Sequence, residues 1–123
     1  MRMATDETGI TGEAIAEGYL IERGFRIETT GYRYRRAEID LIARKDDTLY
    51  FVEVKTRRST TYADPSAAVS TRKEQLLARA ASRYAYEVHH EWAVRFDVIS
   101  IVLHPDGTYD LDHLEDVFFP GLH

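Results

Sequence analysis

The chain has 123 residues, 44% of them hydrophobic and 30% charged, enough for one modest core and too few for two. It contains no cysteine, so disulfides and thiolate metal sites are excluded and a reducing compartment is a natural fit. No apolar run approaches the roughly 18 residues needed to span a bilayer. The stretch from Met1 to Gly12 lacks an apolar segment of signal-peptide type. The expectation is a cytoplasmic protein with no membrane partner, built as a single domain over 1–123 with flexible residues at 1–10 and a tail at 119–123.

A net charge of −5 argues at first against a nucleic-acid partner, because phosphate contacts are usually made by a basic surface. The distribution changes that picture. From Leu20 to Arg83 there are 14 Lys and Arg against 9 Asp and Glu, a local net of +5, whereas the remainder has 2 against 12, a net of −10. The acidic excess lies towards the two termini. The middle carries Arg35, Arg36, Arg57, Arg58, Arg72 and Lys73, which are candidate nucleic-acid contacts; solvated loop charges are the bland alternative.

In chain order, Thr11 precedes a segment from Gly12 to Arg23 in which Ile15 and Tyr19, then Ala16 and Leu20, recur at helical spacing, and Gly24 is placed to stop the helix. Phe25 to Thr30 alternates weakly as a strand, and the Arg-rich stretch Gly31 to Arg36 reads as a turn. Glu38 to Ala43 and Leu49 to Val54 are apolar runs separated by a charged stretch from Arg44 to Thr48, so they predict a β-hairpin. Arg57 to Ala63 has loop composition, Asp64-Pro65 marks a turn, and Ala67 to Val69 suggests only a short bridging element. Thr71 with Glu74 makes a capping box for a second helix, whose apolar stripe runs through Leu76, Leu77, Ala80, Ala81 and Tyr84 to about Val88. Trp92 to Leu103 reads as a long buried strand, Pro105-Asp106-Gly107 as a turn, and Thr108 to Leu111 as a short edge strand. The predicted fold class is α/β in the order α-β-β-β-α-β-β, a central mixed sheet flanked by helices.

Charges interrupt the two most apolar strands. Asp40 lies within Ile39-Asp40-Leu41-Ile42, and Glu53 and Lys55 lie within Phe51-Val52-Glu53-Val54-Lys55. Residues two apart on a strand share a face, so Glu53 and Lys55 point the same way, and hairpin pairing can bring Asp40 beside them. Two desolvated carboxylates with one lysine leave a negative remainder that a divalent cation would offset. Oxygen ligands without cysteine or a spaced histidine pair suit magnesium or manganese better than zinc. Such a site is workable for phosphodiester hydrolysis, with Lys55 orienting or activating water or stabilising charge on the phosphate. A structural ion-pair network is the competing explanation.

The strings from Ala37 to Ala43 and from Phe51 to Arg57, with Gly12-Glu13 before them, closely resemble the YraN-like family of poorly characterised bacterial proteins. That family is similar to the PD-(D/E)XK nuclease superfamily, which includes restriction endonucleases and archaeal Holliday-junction resolvases. The resemblance spans nearly the whole chain and implies a restriction-endonuclease-like core. It assigns Asp40, Glu53 and Lys55 as catalytic residues, with Asp40, Glu53 and Glu13 as metal ligands for Mg2+ or Mn2+. It also implies an endonuclease acting on structured or branched DNA. The strongly acidic remainder of the chain argues against tight binding by a monomer, so a homodimer or a DNA-processing protein partner could supply further contact surface. The alternative is a non-catalytic nucleic-acid-binding accessory module of a repair, recombination or uptake system.

Several residues carry secondary expectations. Glu38 shares a strand face with Asp40 and is a second-rank ligand, or else pairs with Arg35 or Arg36. An acid such as Glu13 in the first turn of a helix also has a purely structural explanation in the helix dipole. Asp97 is expected to pair with Arg95 or to cap a loop, and His89-His90 to sit at a solvated helix terminus. Tyr32, Tyr34 and Tyr62 interleave with arginines and could stack on the bases of an unpaired strand.

Overall fold

The computed structural model describes residues 8–60 and 71–117. Helix α1 spans Thr8–Glu22, strands β1 to β3 span Arg26–Tyr34, Ala37–Lys45 and Thr48–Arg58, helix α2 spans Thr71–Glu87, and β4 and β5 span Val94–Leu103 and Tyr109–Leu114. The strands form one mixed sheet in the order β1-β2-β3-β4-β5. Only β3 and β4, which α2 joins, run parallel; the other neighbouring pairs are antiparallel. The expected element order is therefore present. No helix among the described residues is long and apolar enough to cross a membrane. The segments 1–7, 61–70 and 118–123 lie outside the described residues, and with them the expected flexible start, the Asp64-Pro65 turn, the element at Ala67 to Val69, Tyr62 and the tail.

Each helix covers one face of the sheet. Ile15, Ala16 and Leu20 of α1 pack with Leu41, Ala43, Val52, Ile99 and Ile101, whereas Leu77, Ala80, Ala81 and Tyr84 of α2 pack with Ile39, Ile42, Leu49, Phe51 and Phe96. Burial on both faces explains why the central strands are apolar at successive positions. Ile39 and Ile42 join the α2 cluster while Leu41 and Ala43 join the α1 cluster, so the alternation slips once in β2, around Asp40.

Several boundaries differ from expectation. Strand β5 runs to Leu114, past the expected Leu111, because its pairing with β4 continues to Leu114 opposite Val98, and the hairpin strands reach Lys45 and Thr48, which narrows the expected connection. Helix α1 begins at Thr8, ahead of the expected Gly12. Strand β1 continues to Tyr34 through most of the stretch that reads as a turn, because Tyr32 and Tyr34 pack on the α2 cluster while Gly31 and Arg33 alternate outwards; the turn is confined to Arg35 and Arg36. Arg57 and Arg58 belong to β3, whose pairing with β4 holds as far as Arg58 opposite Leu103. A ladder on one side is enough to carry a charged sequence past the end of the hairpin.

Candidate active site

The hairpin formed by β2 and β3 is paired from Lys45 opposite Thr48 to Leu41 opposite Val52, and the register stops there. The next backbone N–H of β3 that points at β2, that of Val54, donates instead to Asp40 Oδ2 at 2.8 Å. A carboxylate has taken the place of a ladder carbonyl, and beyond it the edge of β3 is open. Burial raises the Asp40 pKa to about 6 against the lowering effect of that hydrogen bond, and repulsion from Glu13, Glu53 and Glu38 adds to the rise. The charges that act on Asp40 most strongly are all of its own sign.

Glu53 follows directly on β3. Its Oε1 accepts a hydrogen bond from Lys73 Nζ in the first turn of α2 at 2.6 Å, and its side chain is 18% exposed. Its Oε2 is buried and has no hydrogen-bond partner, a costly state for a carboxylate oxygen that points to a missing cation or donor. Lys55 shares the Glu53 face two residues on, half-buried, and forms no ion pair with any described residue.

Glu13 reaches the neighbourhood of Asp40 because α1 crosses β3 closely. A Cβ on Gly12 would lie 2.9 Å from Thr56 Cβ and 3.0 Å from Thr56 Cγ2, and would collide with its hydroxyl, so only glycine fits at this crossing. Since α1 begins at Thr8, Glu13 stands beyond the first turn, which removes most of the dipole explanation for its charge. Glu38 pairs with neither Arg35 nor Arg36: the register sets it opposite Arg33, which it meets at 3.0 Å.

The four acids nevertheless do not converge as tightly as a filled metal centre. Among the described residues, the one trio whose ligand atoms all lie within 4.8 Å of one another is Asp97, His113 and Glu115. Here Arg95 already supplies the positive charge, with two hydrogen bonds to Asp97 and one to Glu115. Asp97 also accepts from His113 Nε2 at 2.7 Å and from the Asp116 N–H at 2.9 Å. Burial would raise its pKa, but these partners together hold it below its ordinary value. The trio has ligand chemistry but also a complete set of partners, whereas Glu53 has a buried oxygen with none. Asp97 thus both pairs with Arg95 and caps a loop, as its sequence setting suggests. His113 and Glu115 escaped sequence reasoning because β5 carries alternating acids with no local anomaly; only its pairing with β4 gives them meaning.

The predicted basic contacts come from three places along the chain. Arg35 and Arg36 are exposed at the β1–β2 turn, Arg57 and Arg58 end β3, and Arg72 and Lys73 open α2. Lys73 joins the carboxylates directly through Glu53. Tyr32 is tied to Glu87 by its hydroxyl and packs edge-on against Tyr84, so it is a core contact and not a stacking platform. His90 is not simply solvated either, since its Nε2 meets the Ala93 carbonyl oxygen at 2.8 Å and its Nδ1 meets Arg44.

Comparison with known proteins places this geometry in a family without an assigned activity. The family model described as "Uncharacterised protein family UPF0102" matches residues 12–101. A UPF0102 protein of Chlorobium phaeobacteroides is 45% identical over 116 residues, covering 89% of this chain and 91% of its own. One from Alkaliphilus oremlandii is 40% identical over 113 residues, covering 89% and 96%. One from Bacteroides thetaiotaomicron is 37% identical over 117 residues, covering 95% and 96%. These matches bear out the YraN-like resemblance.

Proposed function

The chain belongs to the uncharacterised protein family UPF0102, and we propose that it is a divalent-metal-dependent nuclease with a restriction-endonuclease-like core, hydrolysing phosphodiesters in structured DNA. The observation that carries this reading is Asp40: a half-buried carboxylate whose strongest charged neighbours are Glu13, Glu53 and Glu38, beside a Glu53 oxygen that is buried and unpartnered. Like charges gathered at the open end of a hairpin are destabilising by themselves and become reasonable when a cation joins them. Asp40 and Glu53 would hold the ion, with Glu13 completing the set from α1 and Glu38 in reserve once released from Arg33. Their oxygen-only chemistry fits Mg2+ or Mn2+. Such an ion supplies charge stabilisation at the phosphate and lowers the pKa of bound water.

The chain's own groups supply the remainder. The Val54 N–H holds Asp40 Oδ2 in a fixed direction, leaving Oδ1 outside that bond. Lys55, on the Glu53 face and without an ion pair among the described residues, is available to orient the attacking water and to balance charge on the phosphate. Lys73 occupies Glu53 Oε1 and would have to yield or shift towards a phosphate when the site fills.

The test is cleavage of labelled single strand, duplex, flap and four-way junction with Mg2+ or Mn2+, comparing wild type with Asp40→Ala and Lys55→Ala. Metal-dependent cutting should fall by at least about a hundredfold in both variants. Absence of cutting by wild type, with metal-independent nucleic-acid binding that neither substitution alters, would replace this reading with that of a non-catalytic accessory module.

A further inference from the structure

On the outer side of α2 lies an open groove of about 850 Å³ that the carboxylate site does not use. Its floor is one stripe of the helix, Gln75, Arg79, Arg83 and Tyr86, and its wall is the end of β1 and the turn after it, Tyr34 and Arg35. Among the described residues no acidic side chain lines it, and Glu87 pairs with Arg83 from outside the lining at 3.1 Å. In a chain of net charge −5, three arginines lining one groove concentrate positive potential where a polyanion would lie.

The aromatic rings are arranged with these arginines. The Arg35 and Arg83 guanidinium carbons lie 5.3 and 5.9 Å from the Tyr34 ring centroid, and Arg83 lies 5.8 Å from that of Tyr86. Tyr86 is 73% exposed, which no packing requirement of the fold explains. An exposed ring and a half-buried one, interleaved with guanidinium groups, offer faces for unpaired bases and charges for the phosphates between them. Bases stacked within a duplex present no free face to such rings, so the chemistry selects a single strand.

We infer that this groove binds an unpaired strand of nucleic acid, and that the substrate is therefore one with a single-stranded arm. The inference rests on the nuclease reading for the word substrate, though not for the binding itself. From Gln75 to Tyr86 the helix advances about 17 Å, room for about five nucleotides at the stacked rise of about 3.4 Å and fewer if the strand is stretched. One end of the groove adjoins the carboxylates: Gln75 lies two residues beyond Lys73, which is bonded to Glu53, and Tyr34 is opposite Ala37, three residues from Asp40.

Binding of a labelled 15-nucleotide oligo(dT) in EDTA, read by fluorescence anisotropy, separates this inference from catalysis. Arg79→Ala and Tyr86→Ala, both at exposed positions, should each weaken binding about five- to tenfold, while Asp47→Asn, on the exposed turn between β2 and β3, leaves it within about twofold. A duplex of equal length should bind more weakly and respond little to Tyr86→Ala. Failure of wild type to bind the oligonucleotide, binding unaffected by both groove substitutions, or a preference for duplex would each overturn the inference. If the groove substitutions weaken binding but wild type cuts no substrate, the nuclease reading fails and the strand-binding site stands. Metal-dependent cutting with groove variants indistinguishable from wild type in binding is the reverse case.

Discussion

Burial and the charges of Glu13, Glu53 and Glu38 raise the Asp40 pKa to about 6, whereas an aspartate in an unfolded chain titrates near 3.9. Between those values the folded state holds the proton that the unfolded state has lost, so stability declines as pH rises through about 4 to 6 and the full penalty stands at neutral pH. Asparagine keeps an oxygen to accept the Val54 N–H and removes the charge. Asp40→Asn should therefore stabilise the metal-free protein at pH 7.5 by about 1–2 kcal/mol, measured as a rise in thermal midpoint in EDTA, and by almost nothing at pH 3.5. Millimolar Mg2+ should raise the midpoint of wild type and leave that of the variant in place. A variant less stable than wild type at pH 7.5 would mean that Asp40 has a cationic partner and the cluster is an ordinary ion-pair network. Asp40, Glu53 and Lys55 are legible in the sequence because each interrupts an apolar run. The salt bridge from Glu38 to Arg33 is not, because it depends on a cross-strand register that local spacing leaves open.

Helix α1 and strand β3 meet through a position that carries no side chain. Thr56 is β-branched and held in a strand, so its side chain has little freedom to yield to a Cβ at Gly12. Gly12→Ala should destabilise the fold by about 1–3 kcal/mol in urea unfolding, offset in part by the better helix propensity of alanine. The cost should shrink when Thr56→Ala is also present, because two of the three crowding atoms are then gone. A Gly12→Ala cost unchanged by Thr56→Ala would show that the two residues do not meet. Because Glu13 adjoins Gly12, a displaced α1 should also weaken metal-induced stabilisation. The sequence places Gly12-Glu13 on a helix but cannot show that the glycine exists for the crossing. Element boundaries were lost for a related reason: β1 and β3 run on through charged residues because tertiary neighbours, namely the α2 cluster for Tyr32 and Tyr34 and β4 for Arg57 and Arg58, outweigh local composition.

Across the whole molecule, Asp97 joins elements that are distant in sequence. Tyr19 of α1 meets His113 Nδ1 at 3.0 Å, His113 Nε2 meets Asp97, and Asp97 holds both Arg95 on its own strand and the Asp116 N–H after β5. With the Asp97 carboxylate as acceptor, Nε2 carries the proton and Nδ1 receives the Tyr19 hydroxyl, so every group in the chain has a defined role. Side-chain exposure of 1% at Asp97 makes this a buried charge whose partners are all needed. Asp97→Asn should destabilise the protein by about 2–4 kcal/mol near neutral pH, since it leaves the Arg95 charge with only the exposed Glu115. The pH dependence runs opposite to that of Asp40. A lowered folded pKa means the unfolded chain takes up the proton first, so the Asp97 contribution is present above about pH 4 and is lost as pH falls through the folded value. The gap between wild type and Asp97→Asn, read from urea midpoints, should therefore narrow steadily below about pH 4, whereas that between wild type and Asp40→Asn closes already between about pH 6 and 4. If the trio with His113 and Glu115 were instead a metal centre, zinc or magnesium would raise the thermal midpoint of Asp40→Asn. With Arg95 already balancing the charge, no such rise is expected.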